Sequence, residues 1–213
     1  MAPQLGYIHR FEPGDEPGLP PVLLLHGTGG DETDLLPLGH EIAPGAALLS
    51  PRGNALEGDM PRFFRRLREG VFDEDDVRQR ANQLSQFVAD ARRAYGIGAP
   101  VALGYSNGAN IAAAVLLLHP RTLKGAILLR ATTPLIEPPR PDLSGIPVLI
   151  LSGLGDPIIP RSGAEKLRLA LAAAGAQVER VELPSGHGLT QADVARAKAF
   201  YAREAARPSS PAR

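Results

Sequence analysis

A chain of 213 residues with 23 Lys plus Arg against 23 Asp plus Glu is long enough to form one domain with a substantial core. The zero formal net charge gives no electrostatic reason to expect nucleic acid or an anionic membrane surface as partner, and a small neutral or amphipathic ligand fits better. The absence of cysteine excludes disulfides, thiolate metal sites and a cysteine nucleophile, and it is compatible with the cytoplasmic location expected here.

The first 21 residues, MAPQLGYIHRFEPGDEPGLPP, are broken by Pro, Gly and acids before any apolar run of signal-peptide length, so the N-terminus is expected to be mature sequence. From there, short apolar runs alternate with stretches of helical period. That pattern predicts an α/β fold with a mostly parallel sheet of about seven strands and helices on both faces. The strands are expected at 5–11, 22–25, 46–50, 100–104, 125–129, 147–152 and 177–183. Helices are expected at 32–42, 107–118, 162–174 and 190–206. The clearest helix starts at Asp73, where Glu74, Asp75 and Asp76 suit an N-terminus. It places Val77, Ala81, Leu84, Val88, Ala91 and Tyr95 on one stripe and stops at Gly96. The longest apolar run, IAAAVLLL at 111–118, is far short of the roughly 18 residues of a membrane span, so no stable membrane insertion is expected. One domain at 1–206 and a disordered tail at 207–213 complete the expectation, with no linker or repeat dividing the chain. The stretch 51–72 has no assigned element; an unassigned segment that long is either functional or carries short structure of its own.

In open parallel sheets, ligands bind where strand-to-helix turns converge at the carboxyl ends of the strands. The pentapeptide GYSNG at 104–108 lies between a predicted strand and a predicted helix, putting Ser106 on a sharp turn. Such a turn needs small residues two positions either side, which Gly104 and Gly108 provide. Serine is a weak nucleophile and requires a base, itself oriented by an acid. Of five histidines, His187 in PSGHGLT is the best placed, in a glycine-flanked loop between the last strand and the last helix. Asp156 in LSGLGDPIIP follows the strand 147–152 and supplies the acid. The order Ser106, Asp156, His187 is the nucleophile–acid–base order found on this sheet architecture. The glycine-rich turn HGTGG at 26–30 supplies further backbone donors, and the oxyanion hole is assigned to the N–H groups of Thr28 and Asn107. His26 then positions that turn.

Plainer readings compete at each point. GYSNG also reads as an ordinary strand-to-helix connection whose Ser106 or Asn107 caps a helix. HGTGG could bind phosphate, although it lacks the Lys-Ser/Thr ending of a P-loop and the G-x-G-x-x-G spacing of a dinucleotide site. Met60, Phe63 and Phe64 read first as partly buried packing residues; a substrate pocket formed by these three with Ile158 and Leu189 is the sharper expectation. Arg65, Arg66 and Arg68 read as a solvated face.

Taken together, LLLHGTGGDETDLLPL, SPRGN followed by MPRFF, GYSNGAN, SGLGDPIIP and GHGLT resemble the α/β-hydrolases, specifically the phospholipase/carboxylesterase (acyl-protein-thioesterase-like) family. The resemblance covers about residues 19–201. It implies a Ser106–Asp156–His187 triad, an oxyanion hole at Thr28 and Asn107, no metal or organic cofactor, and often a homodimer. Where larger lipases insert a helical lid, this chain has only ATTPLIEPPRPDLSGI, so no large lid is expected. The expected activity is a serine carboxylesterase acting on small, short-acyl esters. A thioesterase, lysophospholipase or lactone hydrolase with the same triad is the alternative, and a catalytically idle binding protein on the same fold is the alternative of a different class.

Overall fold

The computed structural model describes residues 5–207. Eleven strands and five helices follow one another in it. They are β1 (His9–Glu12), β2 (Val22–Leu25), α1 (Leu36–Ile42), β3 (Leu48–Pro51), β4 (Ala55–Glu57), β5 (Met60–Arg62), β6 (Arg66–Arg68) and β7 (Val71–Phe72). Then come α2 (Glu74–Tyr95), β8 (Val101–Tyr105), α3 (Asn107–Leu118), β9 (Gly125–Leu129), β10 (Pro147–Gly153), α4 (Arg161–Ala173), β11 (Gln177–Leu183) and α5 (Gln191–Ala205). Seven strands form one sheet in the order β1-β3-β2-β8-β9-β10-β11, parallel throughout except for the antiparallel edge strand β1. This is an α/β-hydrolase sheet with flanking helices, as the alternation of apolar runs and helical stretches predicts.

Why the sheet is buried on both faces is visible in the strands themselves. Val22 and Leu24, Val101 and Leu103, Ile127 and Leu129, and Leu149 and Leu151 point to a cluster closed by α1 and α5. The alternate residues Leu23 and Leu25, Ala102, Ala126 and Leu128, and Val148 and Ile150 point to a larger cluster closed by α2, α3 and α4. With side chains alternating at period two, continuous apolar runs are what two covered faces require. α3 is buried along almost its whole length, which its run of Ala, Ile, Val and Leu permits. α2 begins where Asp73 Oδ1 accepts the N–H of Asp76 at 3.2 Å and ends at Gly96 in the left-handed region, φ 66°. The stripe predicted for it is buried as far as Ala91, with Phe87 added. No helix among the described residues is long and apolar enough to cross a membrane.

Several boundaries differ from expectation. β1 starts at His9 rather than residue 5, and β3 runs Leu48–Pro51 rather than 46–50. The Asp31 carboxylate accepts both the N–H and the hydroxyl of Thr33, at 2.7 and 2.6 Å, which holds residues 31–33 in a side-chain-closed turn. α1 therefore starts only at Leu36, with Pro37 in its first turn. The unassigned stretch 51–72 carries two short antiparallel ribbons, β4–β5 and β6–β7. Arg66 is not simply solvated: it is half-buried and paired with Glu57, which also holds the buried Arg62. Between β9 and β10 there is no helix or strand, so no large lid covers the sheet there. Of the expected tail, Arg207 pairs with Glu204, and the rest lies outside the described residues.

Candidate active site

Ser106 lies between β8 and α3, where the backbone turns through φ 52°, ψ −112°. A non-glycine residue at positive φ is strained, and such strain concentrates at functional turns. Two close approaches force this geometry. A Cβ on Gly104 would stand 2.6 Å from Gly108 O and 2.7 Å from the backbone of Ala109, so helix and strand could not converge. A Cβ on Gly108 would stand 2.0 Å from Leu25 O, against the end of β2. The glycines let α3 sit directly on the sheet and lift the serine hydroxyl above it.

The structure brings the three predicted side chains together although they are far apart in sequence. His187 Nδ1 is 2.8 Å from Asp156 Oδ2, and His187 Nε2 is 3.1 Å from Ser106 Oγ. With the carboxylate accepting from Nδ1–H, the ring is held in the tautomer whose Nε2 lone pair faces the serine hydroxyl. Asp156 Oδ1 accepts the N–H groups of Ile158 and Ile159, at 2.8 and 3.0 Å. Burial opposes ionisation of Asp156, but these two donors and His187 outweigh it and hold the carboxyl below its usual range. Asp156 therefore stays charged and aimed.

Two backbone donors have no protein acceptor among the described residues: the N–H of Asn107, the first residue of α3 and next in chain to Ser106, and the N–H of Thr28 in the turn after β2. The turn carrying Thr28 is anchored at both ends. Gly29 N–H donates to Pro61 O at 2.9 Å, while the buried His26 donates from Nδ1 to Gly27 O at 2.6 Å and accepts Gly53 N–H on Nε2 at 2.9 Å. Burial pushes the His26 pKa down, in keeping with a neutral ring that accepts on Nε2.

The residues expected to form a pocket divide. Met60 and Ile158 are exposed, and the Met60 side chain lies over Gly29. Leu189 is half-buried against the α1–α5 core. Phe63 and Phe64 are 0 % exposed and pack inward, in keeping with the plainer reading of them as packing residues. Phe63 N–H donates to the side-chain Oδ1 of Asn107 at 2.7 Å, and this turns its ring inward onto His26. Phe64 packs edge-on against Phe72.

Sequence reasoning missed the groups that hold this constellation. Asn110 Oδ1 accepts Thr132 N–H at 2.8 Å and fixes the segment after β9. Tyr105 donates its hydroxyl to His187 O at 3.1 Å. Arg130, at the end of β9, is completely buried and ion-paired with Asp193. Burial again opposes the charge on Asp193, and the hydrogen bonds from Arg130 and Thr190 outweigh it. The one signal available was an arginine continuing the fully apolar run GAILL.

An α/β-hydrolase sheet, a strained serine on the turn into α3, and an imidazole bonded to that serine and to a carboxylate define the serine-hydrolase class of this fold. The comparisons narrow the class. Residues 9–203 match the model of the phospholipase/carboxylesterase family, and the chain belongs to that family. It is 44% identical over 195 residues to MhqD of Bacillus subtilis (strain 168), covering 91% of this chain and 96% of that protein. The crystal structure of the Bacillus cereus carboxylesterase is 43% identical with a TM-score of 0.89, covering 92% of this chain and 93% of that one. A carboxylesterase from Mesorhizobium loti is 34% identical with a TM-score of 0.84, covering 88% and 90%. The chain is thus an enzyme of the carboxylic ester hydrolase group.

Proposed function

We propose that the protein is a serine carboxylesterase that hydrolyses small, short-acyl carboxylic esters through an acyl-enzyme on Ser106. The observation that carries this reading is the doubly bonded His187 ring, 3.1 Å from Ser106 Oγ on one side and 2.8 Å from Asp156 on the other. As Oγ attacks the ester carbonyl, His187 Nε2 takes its proton, and Asp156 stabilises the resulting imidazolium. The carbonyl oxygen becomes an oxyanion received by the N–H groups of Thr28 and Asn107, the latter at the positive end of the α3 dipole. The alcohol leaves with the proton from His187. Water then attacks the acyl-enzyme, with His187 again as base, and releases the acid.

Support for a short acyl group comes from the lid-free segment between β9 and β10 and from the inward rings of Phe63 and Phe64, which leave only Met60, Ile158 and Leu189 of the expected apolar lining. A cysteine-free chain suits a cytoplasmic setting. The test is a panel of nitrophenyl esters and matching thioesters of increasing acyl length, run on the wild type and on Ser106→Ala. Hydrolysis of acetate and butyrate that falls off with longer chains and disappears in Ser106→Ala is expected. Undiminished activity in Ser106→Ala overturns the mechanism, and a preference for long chains or thioesters overturns the substrate class.

A further inference from the structure

The proposed base stands on a loop that has little of its own to hold it. Residues 184–190 read PSGHGLT; Gly186 and Gly188 flank His187, and no atom lies within 4 Å of where a Gly188 Cβ would be. A glycine-flanked imidazole has many conformations to lose before it can sit within reach of a serine. Something outside the loop must hold it.

Arg130 fills that role. Its Nε–H donates to Gly186 O at 2.9 Å, and its Nη2, whose two hydrogens are shared with Asp193, lies 3.0 Å from Gly188 O and 3.0 Å from Ser185 Oγ. Nη1 and Nη2 also reach Asp193 Oδ1 and Oδ2, at 2.7 and 2.8 Å. Asp193 accepts in addition the N–H and hydroxyl of Thr190, each at 2.8 Å, closing the first turn of α5 just after the loop. Tyr105 takes the carbonyl between, that of His187 itself. Three consecutive carbonyls are therefore held by side chains from the ends of β8 and β9. The guanidinium is 0 % exposed, and its own backbone sits at φ 57°, one of two non-glycine residues in that region among those described; the other is Ser106. A charge so deeply buried is costly unless its donors are satisfied, and this fork reaches both loop carbonyls and the carboxylate.

The geometry points to Arg130 as the positioning residue for His187: its guanidinium fixes the carbonyls on either side of the imidazole and ties the loop to Asp193 at the start of α5. The inference rests on the proposed triad. Arg130→Lys keeps the charge beside Asp193, but a single ammonium cannot reproduce the planar fork to Gly186 O and Gly188 O. For hydrolysis of nitrophenyl acetate it should lower kcat by about 100-fold, the scale of a misplacement near 1 Å, with KM unchanged. A folded Arg130→Lys with wild-type kcat overturns the inference. Loss of activity in Ser106→Ala beside that result leaves the triad standing, whereas retained activity in Ser106→Ala removes the triad itself. A second measurement needs no variant: nitrogen-15 NMR of the unaltered protein should show the Arg130 Nε–H as a slowly exchanging resonance. Rapid exchange of that proton overturns the inference even where Arg130→Lys does not fold.

Discussion

The side chain of Asn107 accepts the backbone N–H of Phe63 at 2.7 Å, joining the segment after β3 to the first residue of α3. One residue thus has two separable parts. Its backbone N–H is a proposed oxyanion donor, and its amide oxygen clamps the residue that follows the β4–β5 ribbon. Asn107→Ala keeps the first and removes the second, leaving the buried Phe63 N–H without a partner. Such a loss costs about 1–3 kcal/mol, so thermal denaturation should show a clear drop in Tm together with reduced esterase activity. An unchanged Tm would mean that the clamp contributes nothing.

Gly108 meets a harder constraint than Gly104. A methyl group at Gly108 would fall 2.0 Å from Leu25 O and 2.5 Å from His26 O, both backbone atoms that cannot swing aside. At Gly104 the closest approach is 2.6 Å. Gly108→Ala should therefore be the worse of the two, separating α3 from β2 and disturbing the turn that carries Thr28. Soluble yield and Tm of both variants check this, and a Gly108→Ala protein as stable as Gly104→Ala would contradict it.

Stability should fall on acidification in two stages. Burial lowers the His26 pKa from 6.5, so the unfolded chain binds this proton more readily than the folded one. The stability it contributes is complete above pH 6.5 and is lost as pH falls toward the lowered folded value. Asp156 and Asp193 are held below 3.8, so their contribution is present above that value and lost only as pH falls through their depressed folded values. Replacing His26 by Gln should reduce the slope of the upper stage by at most about 1.4 kcal/mol per pH unit, keep the part that His119, also lowered by burial, contributes there, and leave the lower stage in place. Denaturant midpoints from about pH 7.5 down to about pH 2 for both proteins measure it, and equal slopes above about pH 5 would show that His26 makes no contribution.

The sheet was legible because every central strand is a short apolar run ended by Gly, Pro or a polar turn, and because buried parallel strands leave no polar face to confuse the period. α3 and β9 fall on the residues expected. The start of α1 was not legible, since it depends on which donors the Asp31 side chain captures. Nor were the ribbons within 51–72, which are tied down by distant partners: Gly53 by His26 and Phe63 by Asn107. Ser106, Asp156 and His187 could each be read because each follows a strand in a turn of small or stiff residues. Arg130 could not, because its partners are carbonyls 56 and 58 residues further along and a carboxylate 63 residues away. The charge that ends the apolar run GAILL is the one local sign, and it does not say where the partners lie.

Ser106 is the proposed reacting group. Incubating the folded protein with a fluorophosphonate probe and mapping the adduct by peptide mass spectrometry tests it most directly. One adduct per chain on the Ser106 hydroxyl, absent from Ser106→Ala, is the predicted result. No adduct on the folded wild type, or an adduct on a different residue, would contradict it.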